Sequence, residues 1–199
     1  MEKDGWDLKE FPGLESVPFP TNVQSEDQSL EEGLNYFFIS GGISGAITDP
    51  FSDEADEHAE RFYTAMRNIK GYDVFNISRN TGYTIDQISA IKSYLFIQEH
   101  ELDDGIRRFD PSFIISESWR RLAYDPERIQ PHDLLLIKHE LREMALVQQG
   151  YSQSEAHNLT DKNYNYAKDA YAFHQRLHSR HNHLKESAVK NSKKASHTH

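Results

Sequence analysis

The stretch PHDLLLIKHELREMALVQQG, from Pro131 to Gly150, constrains the fold more than any other part of the chain. A proline at the first helical position and a glycine just past the last one bracket a helix. Stepping about 100° per residue puts Leu134, Ile137, Leu141, Met144 and Ala145 on one apolar face. Leu136 and Val147 fall nearly opposite, with His132, His139 and Glu143 beside them and Glu140 at the margin. A helix apolar on two sides is packed on two sides. The rest of the chain must therefore cover this helix twice. Its histidine and glutamates then sit where water is scarce, a place that charged groups avoid unless they are paired or used.

The covering elements also read as helices. In SDEADEHAERFYTAMRNIKG, Ser52 caps, acids fill the first turn and Gly71 stops the helix. Ala55, Ala59, Phe62, Ala65, Met66 and Ile69 recur at helical spacing, and His58 falls on the solvent side. VFNISRNTGYTIDQISAIKSYLF reads as helix, turn, helix, with Gly82 at the turn and Ile85, Ile88, Ile91 and Leu95 buried. PSFIISESWRRLAYD offers Phe113, Ile114, Trp119 and Leu122 to the core. After Gly150, Ser152 and Glu155 form a capping box. The helix they open is predicted to run through NLTDKNYNYAKDAYAFHQRL, burying Ala156, Leu159, Ala167, Ala170 and Phe173. No repeat and no run of strands stands out. The predicted fold is mostly α, one domain of about five to six helices.

Four segments follow. Residues 1–33 form an acidic, proline-containing arm predicted to be disordered, and residues 34–50 a junction rich in glycine (Gly41, Gly42, Gly45) ending at Asp49–Pro50. Residues 51–177 are the helical domain, and residues 178–199 a basic, His-rich tail. The net charge of −10 is uneven: from His174 onward six Lys/Arg face a single acid, so that end carries +5 and the remainder −15. An acidic body argues against a broad, non-specific nucleic-acid surface. The absence of cysteine excludes disulfides, thiolate metal sites and thiol nucleophiles. MEKDGWDLKEF lacks the basic start and apolar centre of a signal peptide. LNYFFISGGISGAI, the longest nearly uncharged run, is shorter than the roughly 20 residues that a spanning helix needs. The expectation is a protein cytoplasmic when made, without a membrane span.

His139 and Glu143, four apart on one helix, can meet. A carboxylate fixes the tautomer of an imidazole and raises its basicity, as a general base requires. His157 lies one turn into the next helix, which Gly150 folds back, so it is the third candidate. The zincin pattern asks for a second histidine where Glu143 stands. A divalent metal would need His157, His100 or His132 to complete its ligands, and metal hydrolysis ranks below metal-independent acid–base chemistry. QEHELDDGIRRFDPSF is a polar loop holding His100, Arg108 and Asp110. Arg108 is the candidate anion-stabilising group, because a planar guanidinium suits phosphate. His100, Asp110, Tyr164 and Tyr166 are the candidate substrate contacts, the tyrosines as stacking platforms for bases. The alternative is non-enzymatic: Ser78, Gly82, Ile88 and Ile91 follow a helix-turn-helix spacing, with Gln87 and Lys92 facing DNA.

The motifs SGAITDPFSDEADEHAERFY, ISRNTGYTIDQISAIKSYLF, EHELDDGIRRFDPSF with SWRRL, HDLLLIKHELREM and GYSQSEAHNLTDKNYNY cover about two-thirds of the chain. Together they resemble the C-terminal toxin or effector module of bacterial polymorphic toxins, which is also found appended to phage minor-head proteins. That resemblance implies a toxic domain beyond a Gly41–Pro50 junction, delivery into a target cell, and a cognate immunity protein as partner. The combined expectation is a hydrolase acting on RNA or another phosphodiester. His139 would be base, Glu140 or Glu143 its orienter, and His157 the acid.

Overall fold

The computed structural model describes residues 47–195, with side chains to residue 188. The arm (1–33) and all but the end of the junction (34–50) lie outside the described residues. The chain forms α1 (Asp53–Asn68), α2 (Tyr72–Thr81), α3 (Ile85–Lys92), β1 (His100–Leu102), β2 (Gly105–Arg107), α4 (Phe113–Tyr124), α5 (Pro131–Gln148), α6 (Gln153–Asp161) and α7 (Tyr166–Ala195). A π-helical turn, Ser93–Ile97, extends α3. The fold is mostly α, with seven α-helices among the described residues.

Side chains cap several helix starts. Ser52 Oγ accepts from the Ala55 amide, and Thr84 with Gln87 and Ser152 with Glu155 both close capping boxes. Gly82 ends α2 at φ 81°, a conformation that a side chain would strain. Two layers do enclose α5. Ile137, Leu141 and Met144 join the main core with Phe62, Ile77, Ile91, Phe96 and Trp119. Leu136 faces a second cluster with Ala55, Ala59, Phe113, Tyr166 and Ala170. Leu134 departs from the predicted face and is exposed.

Three further differences matter. His58 is buried rather than solvent-facing, its Nε2 3.2 Å from Glu117 Oε1. The polar 98–113 loop contains an antiparallel hairpin, His100 opposite Arg107, turning at Asp103–Asp104 before Gly105. Asp-Asp-Gly suits a tight turn, but three-residue strands are too short for periodicity to reveal. The long helix expected after Ser152 is two helices, broken at residues 162–165. Asn165 makes the break, its side chain accepting from the Lys168 amide at 3.0 Å and so capping α7. The basic tail continues α7, which is helical to Ala195.

Candidate functional site

α5 and α6 pack against each other, and their facing sides carry the polar cluster. His139 and Glu143 come from α5, one turn apart. His157 and Asp161 come from α6 at the same four-residue spacing. His139 Nε2 lies 3.1 Å from Glu143 Oε2, and His157 Nδ1 lies 2.8 Å from that same oxygen. Asp161 closes the ring from the other side, 3.6 Å from His139 Nδ1 and 3.6 Å from His157 Nε2. His139 Nδ1 donates to the Tyr164 carbonyl at 2.8 Å. That carbonyl lies in the break between α6 and α7 and also accepts from the Tyr166 amide at 2.8 Å. Glu143 Oε1 is held by the Tyr94 hydroxyl at 3.1 Å and by the Gln153 amide.

The electrostatics follow from this geometry. Burial disfavours a charged His139, but the Glu143 hydrogen bond and the Glu140 charge outweigh it and raise the imidazole to about 9. The Glu143 hydrogen bond likewise lifts His157. Burial works to raise the Glu143 carboxyl, yet hydrogen bonds from both histidines hold it below the ordinary carboxylate range. Glu140 moves the other way, pushed up by burial and by the charge of Glu143. It is 5 % exposed and carries no hydrogen bond among the described residues.

Glu140 reaches a cavity of about 610 Å³ that also exposes His139, Glu143 and His157. Leu95, Phe109, Ile114 and Ile115 make apolar wall, and the hairpin contributes Asp103, Asp104 and Arg107. Among the described residues Arg107 is the cavity's one guanidinium, and it is already committed to Asp104 at 3.0 Å and to Asp110 at 2.8 Å.

The structure thus brings His139, Glu140, Glu143 and His157 together, with Asp110 and Tyr166 on the same cavity wall. Tyr166 is buried and its hydroxyl lies 3.0 Å from Ser118 Oγ, so it packs instead of offering an open stacking face. Tyr164 contributes its carbonyl. Arg108 lies outside the cavity lining, exposed, with Nε donating to the Ile97 carbonyl. His100 is buried against Phe109, rings 4.1 Å apart, with Nε2 2.8 Å from the Tyr94 carbonyl. His132 belongs to another network, 3.0 Å from the Arg121 guanidinium that grips Asp133 through two bonds.

Asp161, Tyr94 and Gln153 join the site without having been singled out in the sequence. HELRE and HNLTD share the spacing of a histidine and an acid four later, a legible signal for Asp161. Tyr94 and Gln153 are distant in sequence from Glu143, and nothing local marks them. In the helix-turn-helix-like segment, Lys92 is buried and ion-paired to Asp73 at 2.7 Å. Gln87 is occupied by the Thr84 capping box, so neither residue stands ready for a phosphate or a base.

Comparison with known protein families, with curated proteins and with solved structures finds no match to this chain. No helix among the described residues is long and apolar enough to cross a membrane.

Proposed function

We propose that the chain is a toxin-like effector hydrolase working from the cavity over α5 and α6, with Glu140 as its acid–base group. One observation carries this: a buried carboxyl that the fold does not use structurally, facing a cavity beside two histidines. A structural carboxylate at that depth would be hydrogen-bonded or ion-paired. His139 has partners on both ring nitrogens, so its part is to hold charge and geometry, and the proton-transfer role passes from it to Glu140. The toxin context rests on the motif resemblance alone, as does an immunity protein that would block this cavity.

RNA or another phosphodiester is the substrate class that the motifs suggested. The charge of the cavity supports a different one. Asp103, Asp104, Asp110 and Glu143 line it as anions against Arg107, itself paired with two of them, and the raised His139 and His157, so acids still outnumber bases. A polyanion would meet repulsion there, whereas a neutral or cationic chain would not. We therefore favour an amide or ester bond in a substrate with an apolar or cationic flank.

The test is hydrolysis by the purified chain of a fluorogenic peptide and ester panel, beside RNA. Cleavage within the panel is expected, with Glu140→Gln lowering kcat by about 10²–10⁴-fold. Cleavage of RNA alone would overturn the substrate class, and an unchanged Glu140→Gln rate would overturn the site.

A further inference from the structure

We propose that His139, His157 and Asp161 together bind one divalent transition-metal ion, oriented by Glu143 and the Tyr164 carbonyl. Each of the three residues offers a ligand atom, and these atoms all lie within 4.8 Å of one another. The hydrogen-bond partners show which nitrogens an ion would take.

A carbonyl oxygen only accepts, so the 2.8 Å contact to Tyr164 places a hydrogen on His139 Nδ1. With the ring neutral, as a metal ligand must be, Nε2 is the free lone pair, so metal binding displaces the proton that Nε2 otherwise shares with Glu143 Oε2 at 3.1 Å. An ionised carboxylate also only accepts, so His157 places its hydrogen on Nδ1, toward Glu143 Oε2 at 2.8 Å. With that ring neutral too, its Nε2 is the free lone pair, 3.6 Å from Asp161 Oδ2. Asp161 Oδ1 is buried and has no hydrogen-bond partner. With both rings neutral, a lone pair from each imidazole and a carboxylate oxygen of Asp161 can therefore serve one ion within that 4.8 Å. A cation there would take the place of the protons that hold the ring in the metal-free chain. The outer contacts fit too, because metal-binding histidines donate their second N–H to a carbonyl or carboxylate that fixes the ring. Tyr164 and Glu143 supply one of each, and Glu143 is itself anchored by Tyr94 and Gln153.

Two imidazoles and one carboxylate suit zinc, manganese, cobalt or ferrous iron, and suit magnesium or calcium poorly, since those ions prefer all-oxygen shells. Three protein ligands leave coordination positions open to water. Here the inference rests on the hydrolase proposal: an ion held by these residues would supply Lewis-acid polarisation beside Glu140, which lines the same cavity. The binding itself does not depend on that proposal.

Calorimetric titration of the full chain, stripped with EDTA and dialysed, provides the test, with Zn²⁺ and Mn²⁺ as probes, Mg²⁺ as control, and melting temperature followed in parallel. The exposed histidines of α7 contribute the same weak background to every variant. His157 is half-exposed and Asp161 partly so, which lets His157→Gln and Asp161→Asn fold. The expected result is one saturable Zn²⁺ site that raises the melting temperature and weakens about tenfold or more in each variant. Identical titrations in wild type and both variants, or no saturable site, would overturn the proposal and leave the cluster held by protons. Hydrolysis by a chain that shows no saturable site sinks the metal site and spares the hydrolase. Metal binding in a chain that hydrolyses nothing supports the site and sinks the hydrolase.

Discussion

His139 and Tyr164 are joined by a 2.8 Å hydrogen bond from an imidazole on α5 to a backbone carbonyl in the break between α6 and α7. The break exists because Asn165 caps α7. Asn165→Ala should therefore act twice. It should cost about 1 kcal/mol of stability through the lost cap, and it should weaken Zn²⁺ binding by letting the Tyr164 carbonyl drift. Urea unfolding and zinc titration read the two effects. A stability loss with zinc affinity unchanged would separate the break from the site.

Tyr94 reaches Glu143 from 49 positions away and also exchanges hydrogen bonds with Gln153. Tyr94→Phe keeps the ring packing on His100 and Phe109 and removes only the hydroxyl. About 1–2 kcal/mol of stability should go with it, because a buried carboxylate oxygen loses a donor. Zinc affinity should fall by roughly tenfold, as for other groups that orient metal ligands. Chemical denaturation and calorimetry measure both, and a variant indistinguishable from wild type would show that Glu143 needs no anchoring.

Much of this was legible in the sequence, and the limits have physical causes. The two-sided character of α5 follows from periodicity, and it correctly placed His139, Glu140 and Glu143 between two layers. His157 followed from the Gly150 turn. Arg108 was chosen for its chemistry, but alternation along a short hairpin decides which arginine faces the cavity, and it selects Arg107. His58 looked solvent-facing because its neighbours are acidic. Its partner Glu117 lies on α4, and such pairing between helices leaves no periodic trace.

Asp133 is fully buried and bound by the Arg121 guanidinium at 2.7 and 2.8 Å, while it also accepts from the Gln130 amide that precedes α5. Removing one partner of such a pair leaves the other charge stranded. Asp133→Ala should cost about 3–5 kcal/mol, measured by guanidinium denaturation. A loss below about 1 kcal/mol would mean that Arg121 finds water or another acid.

His174 is buried between Phe113 and Phe173. Burial first, and then the charge of Arg121, pull its imidazole down to about 4; Glu117 and Asp133 oppose this, while His132 adds to it. An unfolded histidine titrates near 6.5, so between about 6.5 and 4 the unfolded chain binds the extra proton. The contribution of His174 is thus complete above pH 6.5 and is lost as pH falls toward 4, amounting to up to about 3 kcal/mol. Stability measured across that window should fall less steeply in His174→Leu than in wild type. Parallel profiles would contradict the assignment.

The most direct measurement is colony formation after induction of the wild-type chain and of Glu140→Gln at matched soluble levels, with helical circular dichroism confirming that both fold. The account predicts that the wild type arrests growth and that Glu140→Gln restores it, because the change removes the acid–base group and leaves the His139–Glu143–His157–Asp161 ring intact. Arrest of equal strength by both chains would contradict it.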